Sequence, residues 1–179
     1  MKVSKTKAIA YAAILLAVCI CSQFFKNLSV YITGPIINAC LIICVMTAGL
    51  GYAIALSVIT PVTSFIITGS PIMAAIPLII PCVMLGNVVL VVSVALLKNK
   101  PNSKIGFPIS MAVGAILKGL FMGLVIAAWV VPSFIPEKML AMQKTIQITF
   151  STTQLITAAL GGVVAFLVYL PIKKSIKNQ

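Results

Sequence analysis

The sequence predicts an all-α polytopic membrane protein with six transmembrane helices. Three observations carry that expectation. Hydrophobic residues make up 61% of the 179-residue chain and charged residues only 8%, and the mean hydropathy is +1.22, far beyond the roughly half-apolar make-up of soluble domains. The apolar stretches approach the ~20 residues that a helix needs to span hydrocarbon, and glycine, proline and lysine separate them. The lysines fall unequally on the two sides that those stretches define.

Residues 8–25, "AIAYAAILLAVCICSQFF", open the series. Lys2, Lys5 and Lys7 ahead of an apolar run also fit a signal peptide, but 18 residues exceed the usual apolar core of one, so this stretch is expected as the first span. The second span is predicted over 34–49 and the third over 52–68, joined by a very tight turn at Leu50 and Gly51. Pro77 and Pro81 interrupt the next apolar stretch. An interior proline removes a backbone hydrogen bond that lipid cannot replace, so residues 69–81 are expected as a broken loop or a re-entrant segment before a fourth span at 82–97. The polar "KNKPNSK" at 98–104 reads as a loop. A fifth span at 108–131, a mixed connector and a sixth span at 152–170 complete the chain. No clear repeat or linker composition sets off a second domain, so residues 1–179 are expected to form a single integral membrane domain.

The charge pattern orients these spans. The chain has 13 lysines, no arginine, no histidine and one acidic residue, Glu137, for a net charge of +12. Such a charge would suit nucleic acid, yet basic and aromatic residues are not interleaved and no recognition motif occurs, so no nucleic-acid partner is expected. With the N-terminus inside, the inner segments carry Lys2, Lys5, Lys7, Lys98, Lys100, Lys104, Lys173, Lys174 and Lys177. The outer loops carry only Lys26, Lys138 and Lys144. Cytoplasmic positive charge orients membrane proteins, which places both termini in the cytoplasm of a multi-pass protein of the bacterial plasma membrane.

What the chain lacks narrows its function. With no histidine and one carboxylate, no hydrolytic triad or zinc site can be assembled, so no catalytic residue, no metal and no cofactor is expected, and the chain is not read as an enzyme. Cys19, Cys21, Cys40, Cys44 and Cys82 lie in apolar stretches without Cys-x-x-Cys spacing and read as small packing residues. There is no phosphate-binding loop for ATP. No span holds the carboxylate or histidine that proton-coupled carriers use. A passive channel survives, as does a binding subunit driven by a separate ATPase.

Three constellations remain. In the first span, Ala8 and Ala12, and Ala13 and Ala17, form small-xxx-small pairs that permit close helix approach, either within the chain or to a partner. In the third, Thr60, Thr63, Ser64 and Thr68 share one face, suited to bonding either their own backbone carbonyls around Pro61 or a ligand. The last comprises Asn38, Asn87, Gln154 and Lys118, polar groups placed within spans. A lysine in mid-bilayer costs roughly 2.5–3.5 kcal/mol on insertion scales, and Lys118 lies about 15 Å from either end of its helix, too deep to snorkel easily. Its charge can be met by Glu137 on a folded-back connector, by desolvation that keeps it neutral, by amides such as those of Asn38 or Asn87, or by an anionic solute.

The overall pattern, with "GPIINACLIICVMTAGLGYAIALSVITPVTSFI", "MLGNVVLV" and "TTQLITAALGG" as its carrying stretches, resembles the substrate-binding S-components of energy-coupling factor (ECF) vitamin transporters. The resemblance implies a high-affinity binding subunit for a small vitamin-like solute within an ECF-type ABC importer. It also implies partners: a transmembrane T-component and two cytoplasmic ATPase subunits that supply the energy. On this likeness Ala8 and Ala12, or Ala13 and Ala17, dock on the T-component. A pocket near the extracellular side would be capped by the segment after the first helix, "KNLSVYITGP". Lys118, Asn87, Asn38 and Gln154 are the candidate substrate-binding residues, and the lone Trp129 offers no aromatic sandwich for a flavin or thiamine ring. A self-contained small channel or facilitator is the alternative, although a pore wants a ring of like polar residues and these are scattered singly.

The orientation is testable with Asn102→Cys on a cysteine-free background. An impermeant maleimide is expected to label it only after the membrane is permeabilised. Labelling in intact cells would place both termini outside.

Overall fold

A computed structural model describes residues 4–25, 29–98 and 103–177. Lys2, Lys26 and Lys100, and the side chains of Lys104, Lys173, Lys174 and Lys177, lie outside this description. The chain has six helices long and apolar enough to cross a membrane. They are α1 (Lys5–Gln23), α2 (Val30–Thr47), α3 (Leu50–Thr68), α5 (Ile79–Leu97), a continuous run that begins with α6 (Ser103–Met122), and α9 (Thr152–Lys177). The fifth run passes through a π-helical segment, Gly123–Val130, into α7 (Val131–Phe134). Short elements fill the connectors: α4 (Pro71–Ala75), a 3-10 segment (Glu137–Met142) and α8 (Gln143–Phe150).

Helix ends move by a few residues from the sequence expectation, for local reasons. Ser4 caps α1 through its hydroxyl to the Lys7 N–H at 3.4 Å, and Ser29 caps α2 by accepting from Tyr31 N–H at 3.2 Å. Such caps satisfy donors that a helix start leaves orphaned, so α2 begins at Val30, four residues before the expected start at Gly34. The segment expected as a loop over the pocket is therefore helix from Val30 onward, and its residues 26–28 lie outside the description. Between α2 and α3 the turn is as tight as expected, because Gly49 takes φ +105°, a conformation that side chains resist. Residues 69–81 fold as a short helix and a turn that lead into α5, with Met73 and Ile76 buried. Pro71 begins α4 and Pro81 falls in the first turn of α5, where no backbone donor is required. Helix α9 continues through Pro171 to Lys177, past the expected end at Leu170.

The up-and-down order brings the beginnings of α1, α3 and α6 and the ends of α2, α5 and α9 to one end of the bundle, with the chain termini. Helix α2 is central, with 61% of its residues buried, against 28% for α1 at the edge. Among the described residues the apolar core divides into two clusters. One fills the terminal half with Leu41, Ile42, Cys44, Leu90, Val94 and Met111. The other, around Met73, Ile79, Met122, Ile126 and Phe150, lies toward the far end. A polar layer separates them.

Candidate functional site

That layer is built on Lys118. Helix α6 carries it inward from mid-span, where it is 3% exposed. Its Nζ donates to Asn38 Oδ1 at 2.6 Å and to Asn87 Oδ1 at 2.7 Å. Bonds of this length are strong, and both partners are neutral amide oxygens, so neither brings an opposite charge to the lysine. Glu137, the sole acidic residue, is exposed in the 3-10 segment, so the folded-back pairing does not form. Among the described residues Lys118 has no carboxylate partner.

The asparagines reach the lysine because helices approach closely. A Cβ at position 161 of α9 would sit 2.5 Å from Asn38 Cβ and 2.9 Å from the Pro35 carbonyl oxygen. Only glycine lets α9 press on α2 at the turn that carries Asn38. Asn87 comes from α5, whose most extensive neighbour is α6 itself.

Above the layer a cavity of about 220 Å³ opens toward the far end of the bundle. This is smaller than the roughly 300–1,000 Å³ typical of drug-sized sites, so it suits a small solute. Lys118, Asn38, Asn87 and Gln154 all line it. The first three form one hydrogen-bonded cluster, while the Gln154 side chain makes no hydrogen bond among the described residues. The hydroxyl stripe of α3 divides its duties. Thr60, Thr63 and Thr68 donate to the carbonyls of Leu56, Thr60 and Ser64 at 2.9, 3.1 and 2.7 Å, while Thr60 and Ser64 also face the cavity.

Several lining residues carried no signal in the sequence. Met73 arrives from α4, and Thr149 and Phe150 arrive from α8, in connectors without readable periodicity. Helix α8 is fixed beside the cavity by Gln147, whose Nε2 donates to the Ala127 carbonyl of the π-helical segment at 2.8 Å. Gln23, at the end of α1, is 1% exposed and donates to the Thr60 carbonyl at 3.0 Å. Its Oε1 is buried without a partner among the described residues.

The alanine pairs of α1 separate. Ala8 and Ala12 are buried within the bundle at 5% and 7% exposure, so they are packed inside the chain and offer no outer face. Ala13 and Ala17 are exposed.

A family model described as "ECF transporter, substrate-specific component" matches residues 7–173. No curated protein and no solved structure matches the chain.

Gly161→Val tests the close approach. It is expected to lower stability by about 1–3 kcal/mol, the usual cost of overpacking, read as a fall in melting temperature of the detergent-purified protein. Unchanged melting would mean that α2 and α9 do not meet as described.

Proposed function

The chain belongs to the substrate-specific components of ECF transporters, and from that premise we propose that it is the high-affinity membrane subunit that binds a small, vitamin-like, anionic solute for import. One observation carries the anionic part: an uncompensated lysine charge at the floor of a small cavity. A buried charge needs a counter-ion, and the chain's one acidic residue, Glu137, lies exposed in the connector. The solute brings it. Asn38, Asn87 and Gln154 are its hydrogen-bonding partners.

The cavity's blind end favours binding over conduction. Leu41, Ile42, Leu90 and Val94 are fully or almost fully buried on the terminal side of Lys118, where a pore would need room and polar lining. With no phosphate-binding loop of its own, the subunit takes its energy from a T-component and two cytoplasmic ATPase subunits in a bacterial plasma membrane. Ala13 and Ala17 are the docking face on this reading, because they are the alanines left exposed and small residues allow helix backbones to approach in lipid.

Two outcomes follow. Lys118→Met, of similar length and uncharged, is expected to fold and to lose about 2–5 kcal/mol of solute binding, measured by isothermal titration with the solute identified by mass spectrometry of the purified protein. Binding at the parent's affinity would make Lys118 structural. Ala13→Leu is expected to reduce co-purification with the ATPase module while the isolated subunit binds as before. Full complex yield together with lost binding would mean that this face packs against something else.

A further inference from the structure

The cavity floor is built from donors alone. An ammonium carries three N–H donors and no acceptor. On Lys118 two of them are taken by the Oδ1 atoms of Asn38 and Asn87, and the third has no acceptor among the described residues. Because each amide turns its oxygen to the lysine, each turns its NH2 group away from it. Neither Nδ2 makes a hydrogen bond among the described residues, and neither is sealed off, since Gln23 Oε1 is the one enclosed orphan among them. Both asparagines line the cavity, so their free N–H groups are left for its occupant.

We propose that this floor selects a single carboxylate, so that the solute is a small monocarboxylic acid bound as its anion, with its two oxygens shared among Lys118, Asn38 and Asn87. The proposal rests on the binding-subunit reading above and narrows it. A carboxylate offers two oxygens with about four lone-pair sites to this donor set, and its single charge balances one ammonium. A phosphate monoester carries about −1.5 to −2. Among the described residues no second cationic side chain lines the cavity, so the surplus charge would be buried unpaired there. A neutral amide would leave the lysine uncompensated and set N–H against N–H.

Three wall hydroxyls have the opposite character. Thr33, Thr60 and Thr149 spend their hydroxyl protons on the carbonyls of Ser29, Leu56 and Thr145, at 3.4, 2.9 and 2.8 Å. Toward the cavity they offer acceptor lone pairs only. Between them stand Ile37, Val83 and Phe150. The body of the acid is therefore mainly apolar, with a few N–H or O–H groups facing the walls.

Asn38→Asp tests the floor directly, because it is isosteric and gives Lys118 an internal counter-ion. The full chain in detergent is melted alone and with nicotinate, pantothenate or biotin. Each acid is set against its neutral counterpart, nicotinamide, pantothenol or biotinamide, and pyridoxal 5′-phosphate serves as the phosphate probe. Solute retained through purification is identified by mass spectrometry. The expected result has three parts: an acid is retained or stabilises the parent, its neutral counterpart binds about 30-fold more weakly or worse, and Asn38→Asp melts higher alone yet loses the acid. A retained or stabilising phosphate ester or uncharged solute overturns the carboxylate assignment and leaves the binding-subunit reading intact. So does an Asn38→Asp protein that binds the acid as tightly as the parent. A protein that retains nothing and responds to no probe overturns both.

Discussion

One buried lysine with no carboxylate beside it among the described residues organises the middle of this bundle. Lys118 sits in a membrane-spanning helix at 3% exposure, held only by two amide oxygens. Placing such a charge in hydrocarbon is costly. The fold meets that cost with a local polar layer, and the layer in turn divides the apolar core. On one side, large aliphatic side chains fill the space between helices. On the other, a second apolar cluster leaves a cavity lined by Ile37, Val83 and Phe150 as well as by hydroxyls and amides.

The connectors complete what the spans begin. Helix α4 and helix α8 bring Met73 and Phe150 to the cavity wall, and α8 lies against the π-helical stretch of the fifth span. π-Helical turns recur at functional sites, because they shift side chains out of the α-helical register. Here the widened segment is tied to the connector by Gln147. At the other edge, Gln23 ties the end of α1 to the carbonyl of Thr60, a cavity residue. The peripheral helix with an exposed small-residue face is thereby joined to the helix that lines the site.

The family assignment and the geometry are complementary. Membership of the substrate-specific components gives a role within an importer, and it says nothing of which solute is carried. Electrostatics supplies that part of the proposal, since a donor-only floor with one net charge is a chemical specification. Energy coupling lies outside the chain on this reading, which agrees with a sequence that has no phosphate-binding loop.

The sequence by itself determined the six spans, because hydrophobic length is a one-dimensional property and lipid imposes it regardless of packing. It also singled out Lys118, Asn38 and Asn87, since polar groups within apolar runs stand out without any knowledge of neighbours. Tertiary structure decided what composition could not. Ala8–Ala12 and Ala13–Ala17 have the same spacing, and only the packing of α1 sends one pair inward and leaves the other outside. Residues 69–81 and 137–150 are too short and broken to read as spans, yet Met73, Thr149 and Phe150 from them line the cavity. Residues 38, 87 and 118 come from three different helices, and their meeting depends on helix approach at positions such as Gly161. Helix–helix distance is a property of pairs of residues far apart in the chain, so no local pattern encodes it.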